Sequence, residues 1–380
     1  MQNRLLLILL LLSPLTWAGI PERRAHVYKA ISEYVTYVGR TNRDTTSGTV
    51  RFDWSGTYLR VAFTGRQLWI VYHDTGNNRY NVWIDRPMSD EPDRIVQLPA
   101  VAEGKTCGIY SLYTGDDYQH HELIIQKRTE GEQGILTLFA FRVLGSLEPA
   151  TSLLNRQIEF IGDSYTCGYG IEAASRDEHF SPRTENAGAT YAALIARYFG
   201  ADYWTIAHSG IGVVRNYNSR FPNHQMPLLY TRTLDWDTLA PVSWIADSAM
   251  LRPALTVIYL GGNDFSCGLQ PSYERFKGAY VCLLRQIKTN YGDKHPILCV
   301  TKPGNDELRG YVERVVSECG MRQVYHYAHK QQVYDMKRDM GADWHPNRSG
   351  HLKLAYALIP YIATLTGWEM MPLPKNEKKD

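Results

Sequence analysis

Ile158-Glu159-Phe160-Ile161-Gly162-Asp163-Ser164-Tyr165-Thr166-Cys167-Gly168-Tyr169-Gly170 joins a mostly apolar run, a glycine and a serine-bearing turn. A short apolar run closed by glycine reads as a strand buried on both faces. A serine directly after such a strand, with glycine on either side, is presented by a sharp turn at the rim of the sheet. Backbone amides that follow it can point at a developing negative charge. Taken alone, Gly-Asp-Ser is more often just a polar turn.

The residues downstream repeat the strand signal. Tyr203–Ala207, Leu255–Leu260, Ile297–Val300 and Val324–Tyr327 read as further buried strands. Between them, helical patterns run near Gly188–Phe199, over Ser272–Asn290 and near Glu307–Cys319, and Pro346 opens a last helix ending near Leu365. Apolar strands separated by amphipathic helices predict an α/β fold, a parallel sheet sandwiched by helices, over residues 152–370. Sheets of this kind carry their sites beyond the carboxyl ends of the strands. The residues just after Ile161, Ala207 and Leu260 are therefore the ones to inspect.

Upstream, residues 25–148 follow a different period. Thr49–Trp54, Tyr58–Thr64, Gln67–His73, Tyr80–Ile84, Arg94–Leu98, Gly108–Thr114, His120–Lys127 and Gly134–Leu144 are rich in β-branched and aromatic residues. Ser55-Gly56, Thr75-Gly76-Asn77-Asn78 and Gly115-Asp116-Asp117 punctuate them as turns. Short strands at this spacing with no helix between them predict an all-β jelly-roll or β-sandwich domain. Leu59, Val61 and Phe63 should share one face of their strand.

At the strand ends of the second half, His208-Ser209-Gly210-Ile211-Gly212 offers glycines where a backbone N–H can approach a ligand. Gly261-Gly262-Asn263-Asp264 offers an amide side chain whose NH₂ can serve an oxyanion. Gly341-Ala342-Asp343-Trp344-His345-Pro346 precedes the last helix. In extended backbone, residues i and i+2 point the same way, so Asp343 and His345 can both face the site, the carboxylate fixing the imidazole tautomer. Each signal is weak alone, but they arrive in order at strand or helix junctions.

Together these blocks resemble the SGNH (Gly-Asp-Ser) hydrolase superfamily. The finer resemblance is to carbohydrate esterase family 2, bacterial acetyl esterases acting on plant cell-wall polysaccharides. It rests on Gly162–Gly170, Asn263-Asp264-Phe265-Ser266 and Asp343-Trp344-His345-Pro346, and on a β domain preceding the hydrolase domain. The resemblance implies Ser164 as nucleophile, His345 as general base and Asp343 as its orienting acid. It places the oxyanion against the amides of Ser164 and Gly210 and the Asn263 side chain, with Gly212 the alternative backbone donor. It implies an acetylated xylan- or mannan-type substrate and no metal or organic cofactor. The wider superfamily separates its acid and histidine by two residues; here only Trp344 intervenes, as in family 2, where some members rely on a Ser–His dyad. Trp344 would bind sugar as a platform, or simply pack.

The remaining features set bounds. With 41 basic and 39 acidic residues, no field favours nucleic acid. Arg4, the apolar run Leu5–Leu12, Pro14 and Thr16-Trp17-Ala18 read as a signal peptide over residues 1–18, and hence a secreted or periplasmic enzyme, acting as a monomer. That run is shorter than the roughly 20 residues a membrane span needs, and no other segment approaches that length. Six cysteines permit disulfides after export, among them one between Cys167 and Cys267. No Cys-x-x-Cys or His-Glu-x-x-His occurs. Cys167, beside the serine, reads as a packing or disulfide residue before a chemical one, and His208, beside Gly210, either lines the pocket or is a structural imidazole.

Overall fold

The computed structural model describes residues 24–219, 223–237, 241–244, 246 and 251–372. The leader expected at residues 1–18 and the polar tail Lys375–Asp380 lie outside the described residues.

Residues 157–366 build a five-stranded parallel sheet flanked by helices. Its spatial order is Asp202–Ala207, Gln157–Gly162, Leu255–Tyr259, Ile297–Thr301, Val324–Ala328. Every residue of the first four strands is buried, which is why their sequences run apolar instead of alternating. Helices Tyr191–Phe199 and Arg348–Thr366 pack on one another, as do Tyr273–Tyr291 and Asp306–Glu318. The order of strands puts Gln157–Gly162 between Asp202–Ala207 and Leu255–Tyr259, so three strand ends open side by side.

Two helix starts differ from expectation. Gly188 sits in a single 3-10 turn, Ala187–Ala189, and Thr190 then caps the helix by accepting from the Ala193 N–H. Pro346 belongs instead to a short antiparallel pairing, opposite Met340, and the last helix begins at Arg348, capped by Asn347. In both cases a capping side chain, and not the first apolar residue, sets the boundary.

The first half is a nine-stranded antiparallel sheet running from His26 to Glu148. Tyr58–Thr64 and Gln67–His73 are one strand, Tyr58–Asp74, and Gly108–Thr114 and His120–Lys127 are one strand, Gly108–Lys127. The expected turn at Gly115-Asp116-Asp117 is absorbed as a bulge: Gly65 pairs with Gln119 and Gln67 with Thr114. Extra residues in one strand bend and twist it without ending it. Leu59, Val61 and Phe63 do share a face, joining Leu68, Ile70 and Tyr72 from beyond the bulge in one buried cluster. Three short strands, His26–Lys29, Val35–Val38 and Asn42–Asp44, were not singled out in the sequence.

The two halves share a second core. Val38, Trp54, Tyr58, Trp83 and Ile124 of the β domain are buried in the same cluster as the parallel sheet. Side chains this large contribute on the order of 1.5–3 kcal/mol each when fully buried. Polar ties fix the register: Trp54 Nε1–H donates to Thr233 O (2.9 Å), Tyr58 O–H to Asp202 Oδ1 (2.6 Å) and Gln126 Nε2–H to Tyr203 Oη (2.8 Å). Arg60 forms a buried ion pair with Asp202, and the buried Arg128 pairs with the partly exposed Glu172, across the same boundary.

Candidate active site

The strand Gln157–Gly162 runs directly into Asp163, whose carboxylate accepts from the Tyr165 N–H and so caps the one-turn helix Ser164–Cys167. Ser164 is thereby held at the first helical position, 7% exposed. Its hydroxyl meets His345 Nε2 at 2.8 Å. His345 Nδ1 faces two backbone carbonyls, Ala342 O at 3.2 Å and Asp343 O at 3.1 Å. A carbonyl only accepts, so Nδ1 carries the proton and Nε2 presents its lone pair to the Ser164 hydroxyl. Burial lowers His345 to about 4, with the two carbonyls and Asp343 acting in the opposite direction. The imidazole is therefore neutral across the physiological range, with its Nε2 lone pair free to accept a proton.

Asp343 does not do what its spacing suggested. Its carboxylate accepts from Tyr169 O–H (2.8 Å) and the Phe180 N–H (3.0 Å) and lies 2.9 Å from His179 Nδ1. The expected carboxylate–imidazole contact is replaced by the backbone carbonyls. The physical reason is local: Asp343 and Trp344 take left-handed backbone (φ 49° and 63°), not the extended backbone that would align i with i+2. Partial burial opposes the charge on Asp343, but its three hydrogen-bond partners hold the carboxyl below its usual range. What Asp343 secures is an aromatic stack: Phe180 on Tyr169 (4.4 Å between centroids) and Tyr169 on His345 (4.2 Å).

The oxyanion candidates surround Ser164. Gly210, Asn263, Ser164 and His345 line one cavity of about 760 Å³. Gly212 does not line it. Its N–H already donates to Asn216 Oδ1 (3.0 Å), and a Cβ there would stand 2.1 Å from Arg215 O, so its missing side chain serves close packing. Asn263 Nδ2 lies beside Ser164 in both adjoining cavities and donates to Ile211 O (2.9 Å) and Asp163 Oδ2 (3.2 Å). Serving an oxyanion means sharing or exchanging one of those bonds. Burial raises Asp163 to about 6. A second, compact recess of about 270 Å³ is lined by Trp344, Lys302, Phe265 and Tyr217 as well as by Ser164 and His345. Trp344 is 48% exposed, and the Arg176 guanidinium lies 4.0 Å from its ring centroid.

Several contributors were missed in the sequence. Asp264 accepts from the Val213, Val214 and Arg215 N–H groups (2.7–2.9 Å), tying the second strand-end loop to the third. Tyr169 carried a signal, an aromatic between two glycines. Phe180, His179 and Glu130 carried none, being remote in sequence from any motif. Cys167 behaves as a packing group and His208 as a structural imidazole. Cys167 is fully buried, and burial pushes its thiol well above the usual range. Cys167 and Cys267 are not bonded to each other. His208 is buried; desolvation works against its charge, but Asp235 at 2.8 Å and nearby Glu130 and Glu132 outweigh it and raise it to about 9.

Residues 37–150 match the model of the carbohydrate esterase 2 N-terminal domain, and residues 160–353 match the GDSL-like lipase/acylhydrolase family. An acetylxylan esterase / glucomannan deacetylase of Cellvibrio japonicus is 30% identical over 333 residues, 83% of this chain and 86% of its own length.

The chain belongs to carbohydrate esterase family 2.

The cellulase/esterase CelE of Acetivibrio thermocellus is 34% identical over 323 residues, covering 83% of this chain; the chain spans 38% of that larger protein. The solved structure of a family two carbohydrate esterase from Clostridium thermocellum, in complex with cellohexaose, superposes with a TM-score of 0.78 at 32% identity. That superposition covers 88% of this chain and all of the other. The family 2 architecture, an antiparallel β domain preceding the hydrolase domain, is thus shared along nearly the whole described chain.

Proposed function

We propose that this family 2 member is an exported serine esterase that removes O-acetyl groups from plant cell-wall polysaccharide of the xylan or mannan type. The observation that carries the proposal is the 2.8 Å Ser164–His345 bond with the far side of the imidazole held by carbonyls. His345 takes the Ser164 hydroxyl proton as Oγ attacks the acetyl carbonyl. The amides of Ser164 and Gly210 and the Asn263 side chain receive the oxyanion. His345 then protonates the departing sugar oxygen, and water repeats the sequence on the acyl-enzyme, releasing acetate. Every proton moves through groups of this chain. The pair works as a dyad, with Asp343 positioning the histidine's surroundings.

Substrate class is supported by shape and by relatives. A compact recess beside a wider groove suits a small acyl group on a large alcohol. Trp344, backed by Arg176, gives a sugar ring an exposed aromatic face. The two aligned Cellvibrio and Acetivibrio relatives are named for esterase activity. The leader-like Met1–Ala18 supports the export part of this reading, with the secreted or periplasmic space as the place of action.

The test is an acyl-chain series on nitrophenyl esters, followed by acetate release from acetylated xylan and glucomannan. Activity should fall steeply from acetate to octanoate, because each methylene that cannot be accommodated forfeits about 0.8 kcal/mol of burial and clashes besides. Activity rising toward octanoate would indicate a lipase instead. A mature protein that hydrolyses no ester would indicate a carbohydrate-binding protein.

A further inference from the structure

We propose that Glu130, carried by the β domain, is a positioning residue that sets the Gly210 amide in the oxyanion site, an inference that rests on the esterase mechanism above. Glu130 follows the long strand Gly108–Lys127 and is 1% exposed. Burying a carboxylate is costly unless it is hydrogen-bonded. Here Oε2 accepts from the Ser209 N–H at 2.6 Å, a charge-assisted bond of the strong kind. Ser209 immediately precedes Gly210, so the bond fixes the peptide plane one step ahead of the Gly210 N–H. Glu130 and Gly210 line the same cavity as Ser164, Asn263 and His345.

Glu130 is itself rigidly held. Its backbone N–H donates to Glu185 Oε1 at 3.0 Å, and Lys127 Nζ donates to the carbonyls of Thr129 (2.6 Å) and Glu130 (2.8 Å). Burial pushes the Glu185 carboxyl well above its usual range, and the neighbouring Glu130 acts in the same direction. The β domain also reaches the other flank of the turn. His208 is bonded to Asp235, and the N–H groups of Asp235 and Trp236 donate to the Asp53 carboxylate at 2.9 and 2.8 Å. Glu130 thus holds Ser209 directly, while Asp53 holds the Asp235-Trp236 backbone whose Asp235 side chain meets His208. Gly210, at φ +78°, has no side chain to restrain it; Ile211 N–H to His208 O (3.3 Å) and Tyr217 N–H to Gly210 O (2.7 Å) hold the turn's backbone, and the Glu130 bond adds a side-chain hold on the peptide just ahead of the Gly210 amide. The β domain is on this account part of the catalytic apparatus, in addition to covering the hydrolase domain's apolar face.

A misdirected oxyanion donor should weaken tetrahedral states and spare the ground state. Four quantities are measured on wild type, Glu130→Ala and Glu130→Gln: kcat and KM on an acetyl ester, inhibition by methylboronic acid, whose serine adduct is tetrahedral, and binding of a deacetylated xylo-oligosaccharide. Glu130→Ala should lower kcat about 10- to 100-fold with KM nearly constant. It should weaken boronate inhibition by a similar factor and leave oligosaccharide binding unchanged. Glu130→Gln keeps an acceptor oxygen at the same reach and should recover most of the loss. Should the alanine variant not fold, Glu130→Asp, which withdraws the acceptor by one methylene, undergoes the same measurements with the same expectations. Wild-type kcat in the truncated variant, or equal weakening of boronate and oligosaccharide, would overturn the positioning role alone. A wild-type enzyme that hydrolyses no acetyl ester would overturn the esterase mechanism as well.

Discussion

Asp343 and His345 are one residue apart, yet their side chains serve different partners, because two consecutive left-handed residues rotate the carboxylate toward Tyr169 and the 178–180 segment. Asp343→Ala should therefore cost on the order of tenfold in kcat, through a loosened Tyr169–His345 stack. His345→Ala removes the base itself and should cost several orders of magnitude. Steady-state kinetics on an acetyl ester decides; equal losses would mean that the carboxylate acts directly on the imidazole. The buried imidazole also fixes the pH response. Its folded value is lowered to about 4 from an ordinary 6.5, so the base stays deprotonated well into acid. A profile of kcat/KM against pH should keep its acid limb below pH 5, and a limb near 6.5 would contradict the burial argument. The same sign holds for stability: the contribution of neutral His345 is complete above 6.5 and is lost as pH falls through about 4. The gathering of Ser164, His345, Gly210 and Asn263 around one cavity was legible in the sequence because each lies within a few residues of a strand end or helix start. The partner of His345 was not, since backbone carbonyls leave no mark on residue identity.

At the scale of elements, the site is assembled by loops leaning on one another. Gly170 O accepts from the Ala342 N–H (3.2 Å), joining the segment after Ser164 to the strap that carries His345. A Cβ on Gly170 would stand 2.3 Å from Ala342 Cβ, at a φ of +59° that other residues rarely adopt. Gly170→Ala should thus push the strap away and lengthen the Ser164–His345 bond, lowering kcat about 100-fold while the protein still folds. Circular dichroism alongside kinetics checks this, and an unimpaired, folded variant would show that the strap is held from elsewhere. Element types followed readily from period, since buried parallel strands read as continuous apolar runs. What escaped were the bends within strands. Gly115-Asp116-Asp117 carries turn chemistry, but the sheet uses it as a bulge, and only the partner strand decides between the two.

At the scale of the molecule, the β domain and the hydrolase domain share a core through Trp54, Tyr58 and Trp83 and a buried Arg60–Asp202 pair. A fragment comprising residues 152–380 alone should be insoluble or largely unfolded, because it would expose the apolar face that the β domain covers. Expression and a thermal melt test this, and a cooperatively folding, active fragment would contradict it. The family 2 architecture is then a single functional unit, in which Glu130 reaches the turn bearing Gly210 and Asp53 the Asp235 segment beside it. The central claim, that acetyl groups pass through Ser164 with His345 as the base, is tested most directly by rapid acid quench during turnover of an acetyl ester, followed by peptide mapping. The account predicts an acetyl group on the Ser164 peptide in wild type, strongly reduced formation in His345→Ala and none in Ser164→Ala. Acetyl transfer to any other residue, or turnover retained in Ser164→Ala, would contradict it.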